Sequence, residues 1–346
     1  MADLSTAPPL AVTAREPLLT VDGLNVEFRS GRGWLQVVDD VSFAVRPSQT
    51  IGLVGESGSG KTVSALAVMG LAPSLGARVS ARSISFEGQE LTKLRSSAMN
   101  RLRGDRIGMI FQQPIRSLNP AYTVGDQIAE TVRRFRKVSR KQAWQRAVEM
   151  LDRVHIARAR ERAKEYPHTF SGGMCQRVMI AMALACEPSL LIADEPTTAL
   201  DVTVQSRILN LLRELQNDTG VAMLFISHDL GVIAEMCEAV VVMYAGQVVE
   251  HAPIDPLFYA PKHPYTDGLL GSIPRVGHSK RLTTIPGTVP NMSELPAGCR
   301  FHPRCIHAVA GRCDSTEPVL EPLGREHAAR CLRVHELSLD GLVGRT

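Results

Sequence analysis

The sequence predicts an α/β fold: a parallel sheet carrying a phosphate-binding loop, an antiparallel β subdomain ahead of it, a helical subdomain within it and a small loop-rich C-terminal extension. Three observations predict it. The apolar run Thr50-Ile51-Gly52-Leu53-Val54 empties into Gly55-Glu56-Ser57-Gly58-Ser59-Gly60-Lys61-Thr62 and then into a helical run from Val63 to Met69. Leu190 to Ala193 and Val221 to Ile226 are bounded apolar runs of strand length, separated by a helical stretch from Val204 to Leu215, which is the pattern of a parallel sheet. From Val124 to about Ala185 the apolar positions follow helical spacing, with Ala143, Ala147, Met150, Leu151 and Val154 three and four residues apart, so a helical subdomain is placed at about 120–185.

Taken in order, residues 1–17 lack the charged start and apolar centre of a secretion signal and read as a flexible tail. Leu18 to Phe28 alternates apolar and polar residues and predicts a strand on a sheet edge. A glycine turn at Gly31 to Gly33 and a second strand near Val41 to Val45 make a small antiparallel unit. Ile84 to Phe86 and Ile107 to Phe111 are further short strands. Beyond about Ala260 prolines and glycines multiply, through His263-Pro264-Tyr265-Thr266 and Pro286-Gly287-Thr288-Val289-Pro290, and no long helical period survives. The domains expected are therefore 18–260 and 261–346. The longest apolar runs fall far short of the ~20 residues that cross a bilayer. A net charge of +4 over 346 residues does not argue for nucleic acid. The basic run from Arg133 to Lys141, with Phe135 as its one aromatic residue, reads as a solvated helix face.

The loop carries the first chemistry. Gly55, Gly58 and Gly60 let backbone N–H groups turn inward around phosphates, and the helix that starts near Gly60 adds the positive end of its dipole. Lys61 reaches the β and γ phosphates, and the Thr62 hydroxyl is offered to Mg²⁺. At average glycine usage the pattern arises by chance in roughly one chain in a hundred of this length. The second site is Asp194-Glu195, at the C-terminal end of a predicted buried strand and so in the crevice where α/β sheets bind ligands. Asp194 holds Mg²⁺ directly or through water, and Glu195 polarises the water that attacks the γ-phosphate.

At Phe170-Ser171-Gly172-Gly173-Met174 the sequence resembles the ATP-binding subunits of ABC transporters, and Tyr166 to Leu184 resembles the peptide-importer branch. The resemblance runs from Leu18 to Cys331 and implies a P-loop NTPase core of ABC type. It implies that Ser171, Gly172 and Gly173 complete the nucleotide site of a partner ATPase subunit, a related chain, in a head-to-tail dimer. It implies that Gln112 senses the γ-phosphate and Mg²⁺ and contacts the transmembrane partner, that Asp201 lies across the dimer seam, and that His228 bonds the γ-phosphate and positions the water. Phe28 is the expected stacking partner of adenine, with Trp34 as the alternative. Cys175 stands where the branch usually has Arg, a lost charge that bears on a dimer-interface contact. The region after Ala260 resembles the C-terminal extension of oligopeptide and dipeptide importer ATPases.

Two function classes compete. A transporter ATPase works with two membrane permease subunits and an extracytoplasmic solute-binding protein, placing this chain on the cytoplasmic face of the membrane as the importer of peptides or of another small solute such as nickel. A nucleic-acid-associated ABC ATPase would need a long coiled-coil insertion or a second phosphate loop in the chain, and the sequence has neither, so transport is the reading adopted.

Seven cysteines remain to be placed. Cys175, Cys186 and Cys237 are scattered and expected as free thiols, whereas Cys299-x5-Cys305-x7-Cys313-x17-Cys331 crowds a segment with few apolar residues for a core. Four thiolates suit a structural Zn²⁺ or an iron-sulfur cluster. The absence of a Cys-x2-Cys knuckle favours a four-iron four-sulfur (4Fe-4S) cluster, as does the resemblance, whose cysteine-rich tails carry such clusters. Zn²⁺ is the alternative, with His302, His307 and His327 as substitute ligands.

Overall fold

The computed structural model describes residues 16–31, 33–198, 200–273, 284–324 and 326–342. Residues 1–15, most of the expected tail, lie outside the described residues.

Strands β1 (Leu19–Ser30) and β2 (Gly33–Val45) form an antiparallel hairpin. Strand β3 (Thr50–Val54) is buried at every position and leads into helix α1 (Lys61–Val68). Strands β4 (Ala77–Ser80) and β5 (Ser83–Phe86) return to β1, and β6 (Gln89–Glu90) adds to β5, completing a five-stranded antiparallel sheet. The sequence placed β1 at an edge, but β2 pairs on one side of it and β4 and β5 on the other. Alternation reports which face of a strand is buried and is blind to how many neighbours the strand has.

Helix α2 (Ser96–Leu102), strand β7 (Ile107–Ile110) and a four-residue turn of helix α3 (Pro114–Ser117) lead into the helical subdomain. It comprises α4 (Val124–Phe135), α5 (Arg140–Arg153), the short α6 (Ala159–Arg162) and α7 (Gly172–Leu184). Thr123 caps α4, and Ser139 with Gln142 closes a capping box on α5, satisfying backbone donors that a helix start leaves free. The five predicted core positions, Ala143, Ala147, Met150, Leu151 and Val154, are all buried. Arg133, Arg134, Arg136, Lys137, Arg140 and Lys141 are exposed around the α4–α5 turn, the solvated face expected of them.

Strand β8 (Leu190–Asp194), helix α8 (Val202–Thr219), strand β9 (Ala222–Ser227), helix α9 (Leu230–Met236), strand β10 (Ala239–Tyr244) and strand β11 (Gln247–Pro253) complete the core. The five strands β10-β3-β9-β8-β7 run parallel. Their alternate residues feed two cores. Leu53, Ile192, Leu224 and Ile226 pack with the antiparallel sheet, while Leu191, Ala193, Met223 and Phe225 pack with the helices. Both faces being covered is why these strands read as unbroken apolar runs.

The C-terminal region is built onto this sheet. After α10 (Ile254–Tyr259) and α11 (Pro264–Gly271), strands β12 (Glu321–Gly324) and β13 (His327–Ala329) extend it, β13 pairing antiparallel with β11. At the join sits Glu250 of β11, 0% exposed. Its carboxylate accepts from the Lys262 and His263 N–H groups at 2.6 and 3.0 Å and faces His327 Nε2 at 2.9 Å. One buried carboxylate thus fixes both the start of α11 and the register of β13. Glu250→Ala strands two backbone donors and an imidazole away from water and is expected to cost about 3 kcal/mol of unfolding free energy. Glu250→Gln, which keeps an acceptor, is expected to lose less; denaturant titration of the two variants checks the order.

Candidate functional site

Strand β3 is joined to α1 by a loop that closes on its own lysine. Lys61 is 5% exposed, and its Nζ donates to Gly55 O at 2.7 Å, to Glu56 O at 2.9 Å and to Ser59 Oγ at 3.4 Å. Gly55 has φ of 150°, and a Cβ there would lie 2.1 Å from the Met243 carbonyl oxygen, so the loop leaves β3 along a path only glycine can take. Gly58 and Gly60 also have positive φ, and Gly60 is the residue before α1. Burial lowers the Lys61 pKa, against the pull of Glu195, Asp194 and Glu56.

The carboxylates arrive at the C-terminal end of β8, one sheet position beyond β9. Thr62 Oγ1 donates to Asp194 Oδ1 at 3.0 Å. Asp194 is 2% exposed, and that burial, with the Glu195 charge, raises its pKa to about 6 against Thr62 and Lys61. Glu195 goes the other way. Burial pushes it up, but hydrogen bonds from Thr198 and His228 outweigh this and hold it below the ordinary glutamate value. Its φ is 47°, a strained setting for a non-glycine residue. Three side chains converge on its oxygens: Gln112 Nε2 at 2.8 Å, Thr198 Oγ1 at 2.8 Å and His228 Nδ1 at 3.3 Å. Thus Lys61, Thr62, Asp194, Glu195, Gln112 and His228 gather at the C-terminal ends of neighbouring parallel strands, with an ionised carboxylate at the centre of its own donors.

Other predicted residues are held elsewhere. Ser171 caps α7 by accepting from the Met174 N–H, and a Cβ on Gly173 would meet Val204 Cγ1 at 2.7 Å, so the start of α7 rests against α8. Asp201 caps α8, accepting from the Val204 N–H at 2.9 Å. These two caps make their contacts with their own helices and with one another's neighbourhood, and none of those contacts is to the loop around Lys61. Phe28 is half-buried near the end of β1, whereas Trp34 is exposed with the Arg78 guanidinium 3.6 Å from its ring centroid. Cys175 is 1% exposed with its Sγ facing the Pro167 carbonyl at 3.6 Å, so the thiol is packed inside this chain.

The four C-terminal cysteines come together. Cys299, Cys305, Cys313 and Cys331 line one cavity of about 20 Å³, with Phe301, His302 and His307. Burial, then the neighbouring sulfurs, pushes Cys305 and Cys331 up to about 11 and raises Cys299. Cys313 Sγ accepts from the Val309 N–H and Cys331 Sγ from the Arg333 N–H, each at 3.4 Å. His327 is removed from the set of alternative ligands by its bond to Glu250. Among the described residues, no group of three or more His, Cys, Asp or Glu is arranged to hold a metal ion.

Sequence reasoning missed Thr198, and the two residues that hold Glu56: Tyr265 and Arg304. Thr198 had a signal, since it lies three residues after Glu195. The other two had none, being more than two hundred positions from the loop.

The Asp194 environment has a pH consequence. An aspartate ordinarily ionises near 3.8, and here near 6, so the folded state binds the extra proton between those values and stability falls as the pH rises through them. Asp194→Asn never carries the buried charge. It is expected to be more stable than the parent above pH 6, by about 2–3 kcal/mol, with the gap narrowing as the pH is lowered toward 4. Nucleotide-free thermal melts across that range are the check; a gap constant with pH would show the carboxyl to be unperturbed.

Comparison with known proteins agrees with the geometry. A family model described as ABC transporter matches residues 38–198, and one described as oligopeptide/dipeptide transporter, C-terminal region, matches residues 249–313. A Brucella melitensis protein whose name describes it as a peptide import ATP-binding protein is 49% identical over 337 residues, covering 94% of this chain and 99% of that protein. A Brucella abortus protein of the same description is 49% identical over 316 residues, 91% of this chain and 94% of that one. Among solved structures, a dimeric ATP-binding cassette bound to ADP and Pi aligns with a TM-score of 0.60 at 24% identity, over 68% of this chain and 98% of that one, a likeness of fold. The cbiO1 cassette of Clostridium perfringens, part of an ABC transporter complex, aligns with a TM-score of 0.60 at 25% identity over 70% and 90% of the two chains. Among the described residues no helix is long and apolar enough to cross a membrane. With a relative of this identity along nearly its whole length, the chain belongs to the ATP-binding subunits of ABC transporters, in the oligopeptide and dipeptide branch.

Proposed function

We propose that this chain is the ATP-hydrolysing subunit of an importer of di- and oligopeptides. In this reading residues 18–260 are the ATPase unit, with its helical arm at about 120–185, and residues 261–346 are an accessory extension. The subunit works at the cytoplasmic face of the membrane, paired head to tail with a second, related cassette, beneath two transmembrane permease subunits supplied by an extracytoplasmic binding protein. The observation that carries the reading is the convergence of Lys61, Thr62, Asp194, Glu195, Gln112 and His228 at the C-terminal ends of neighbouring parallel strands, while Ser171 and Gly173, on either side of Gly172, make their contacts at the start of α7 and against α8. A site whose last part stands elsewhere on the chain is completed by a second copy of the fold. The peptide import relatives support the choice of cargo.

In this mechanism Lys61 gives up its loop acceptors for the β and γ phosphates, and the backbone of Gly55 to Gly60 cradles them. Glu195, held ionised by Thr198 and His228, takes the proton of the attacking water, and His228 orients that water against the γ-phosphate. Gln112, already bonded to Glu195, reports the state of the site to the permease. Phe28 stacks on adenine, and Asp201 and the Ser171 cap meet the partner's nucleotide. The hydroxyl of Thr62, the carboxylate of Asp194 and the amide oxygen of Gln112 are hard oxygen donors suited to Mg²⁺, which neutralises charge on the phosphates when bound.

The four-cysteine cavity is proposed to hold a 4Fe-4S cluster, with Zn²⁺ as the competing occupant. What supports it is that four soft donors line one space, two of them already accepting backbone N–H bonds. The group would brace the extension.

Three outcomes are expected. Glu195→Gln in the assembled transporter keeps ATP bound while hydrolysis falls by ~10²-fold or more, and Lys61→Ala loses binding itself; parental turnover by Glu195→Gln would remove it as the base. A strictly monomeric preparation hydrolyses ATP poorly until partner ATPase and permease are added. Anaerobically purified protein is brown and contains iron and sulfide, both lost in Cys305→Ser; a colourless protein with stoichiometric zinc would assign the cavity to Zn²⁺.

A further inference from the structure

Glu56, the second residue of the phosphate loop, is gripped on both its backbone and its side chain by the C-terminal extension. Arg304 Nη1 donates to Glu56 Oε2 at 2.6 Å and Nη2 to Glu56 Oε1 at 3.0 Å, a two-pronged pair in which the arginine side chain is 5% exposed. The guanidinium has little freedom to be anywhere else, since Nε donates to the Pro286 carbonyl at 2.8 Å and Nη1 also reaches Tyr244 Oη at 3.4 Å. On the backbone side, the Glu56 N–H donates to Tyr265 Oη at 2.9 Å. Tyr265 is fully buried, with its ring 4.7 Å from that of Tyr244 and 5.3 Å from that of Phe301. A second arginine, four residues before the first, also reaches back to the core: Arg300 donates to the Ala245 carbonyl at 2.6 Å and pairs with Asp39 of β2.

The chemistry of the pairing has a direction. Glu56 places a carboxylate beside Lys61, whose charge it already influences, at the mouth of a loop built to receive a polyanion. Left unpaired, that carboxylate would repel triphosphate and compete for the lysine. Neutralised by a buried arginine, it contributes shape without repulsion.

We propose that Arg304 and Tyr265 are positioning residues for nucleotide: Arg304 cancels and aims the Glu56 carboxylate, Tyr265 fixes the Glu56 N–H, and together they set the affinity of the phosphate loop for ATP from within the C-terminal extension. This rests on the loop being the ATP site, a reading that Lys61→Ala tests separately.

The experiment is ATP binding to the full chain, followed by kcat and KM in the assembled transporter. Arg304→Gln is expected to raise the ATP Kd and KM about tenfold while kcat stays within about twofold, because Glu195 and its donors are untouched. Glu56→Gln is expected to act in the opposite sense and tighten ATP, since it leaves a buried cation facing the phosphates. The double variant Glu56→Gln/Arg304→Gln should return KM to within about threefold of the parent, and Tyr265→Phe should raise KM by a few-fold. Damage to the fold would weaken ATP binding in both single variants and persist in the double. A parental KM in Arg304→Gln, weakening by both single variants, or no recovery in the double each overturns the proposal. Loss of ATP binding in Lys61→Ala keeps the loop as the site whichever result is found, and its retention would overturn that reading instead.

Discussion

An ammonium group buried at the end of a sheet has to be surrounded by oxygen, and most of this site follows from that requirement. Lys61 has little access to water, so the loop wraps its own carbonyls around it, and only the backbone freedom of Gly55 lets the chain turn tightly enough beneath the Met243 carbonyl. Those acceptors are neutral, and the compensating charge comes from Asp194, Glu195 and Glu56. Clustering three carboxylates beside one lysine creates a new difficulty, which the structure resolves by treating each one differently. Asp194 is buried against a hydroxyl and resists ionisation, Glu195 is exposed to three donors and stays ionised, and Glu56 is handed to an arginine. Two adjacent acidic residues with opposite proton affinities are what a site needs if one is to bind and the other to accept a proton.

How much of this was legible in the sequence depended on distance along the chain. The parallel strands were legible because both of their faces are covered, which makes each a bounded apolar run, and the α5 core was legible because its spacing is local. The neighbours of β1 were not, since pairing with β4 and β5 is a property of other segments. Strands β12 and β13 are too short and too polar to carry a period, and exist because β11 offers an open edge. At the site, the loop announced itself by its ordered glycines and Lys61-Thr62, the Asp194-Glu195 pair by its place at the end of an apolar run in the same fold, and Gln112 and His228 only by family resemblance. The geometry then gave a reason for that pair, since both bond the same carboxylate from the turns that follow different strands, Gln112 after β7 and His228 after β9.

The separation of the two helix caps from the loop also has a physical reading. Ser171 and Asp201 each spend a side-chain oxygen on a backbone donor of their own helix, and Gly173 brings the two helix starts into contact over Val204. A larger side chain at 173 would have nowhere to go. The caps are therefore carried on a common support, and a displacement of one is felt by the other.

The grip of the extension on Glu56 also orders events in time. The loop, α1 and β3 belong to the first fifth of the chain, yet the residues that clasp the loop, Tyr265 and Arg304, are 209 and 248 positions later. A ribosome delivers them after the loop and every strand of the parallel sheet. A growing chain can assemble most of its central sheet while its phosphate loop is still unclasped, and the loop is fastened only when the C-terminal extension folds back beside β11 at Glu250. The clasp on the loop is therefore a late event, made after the strands that carry Lys61, Asp194 and Glu195 have been delivered.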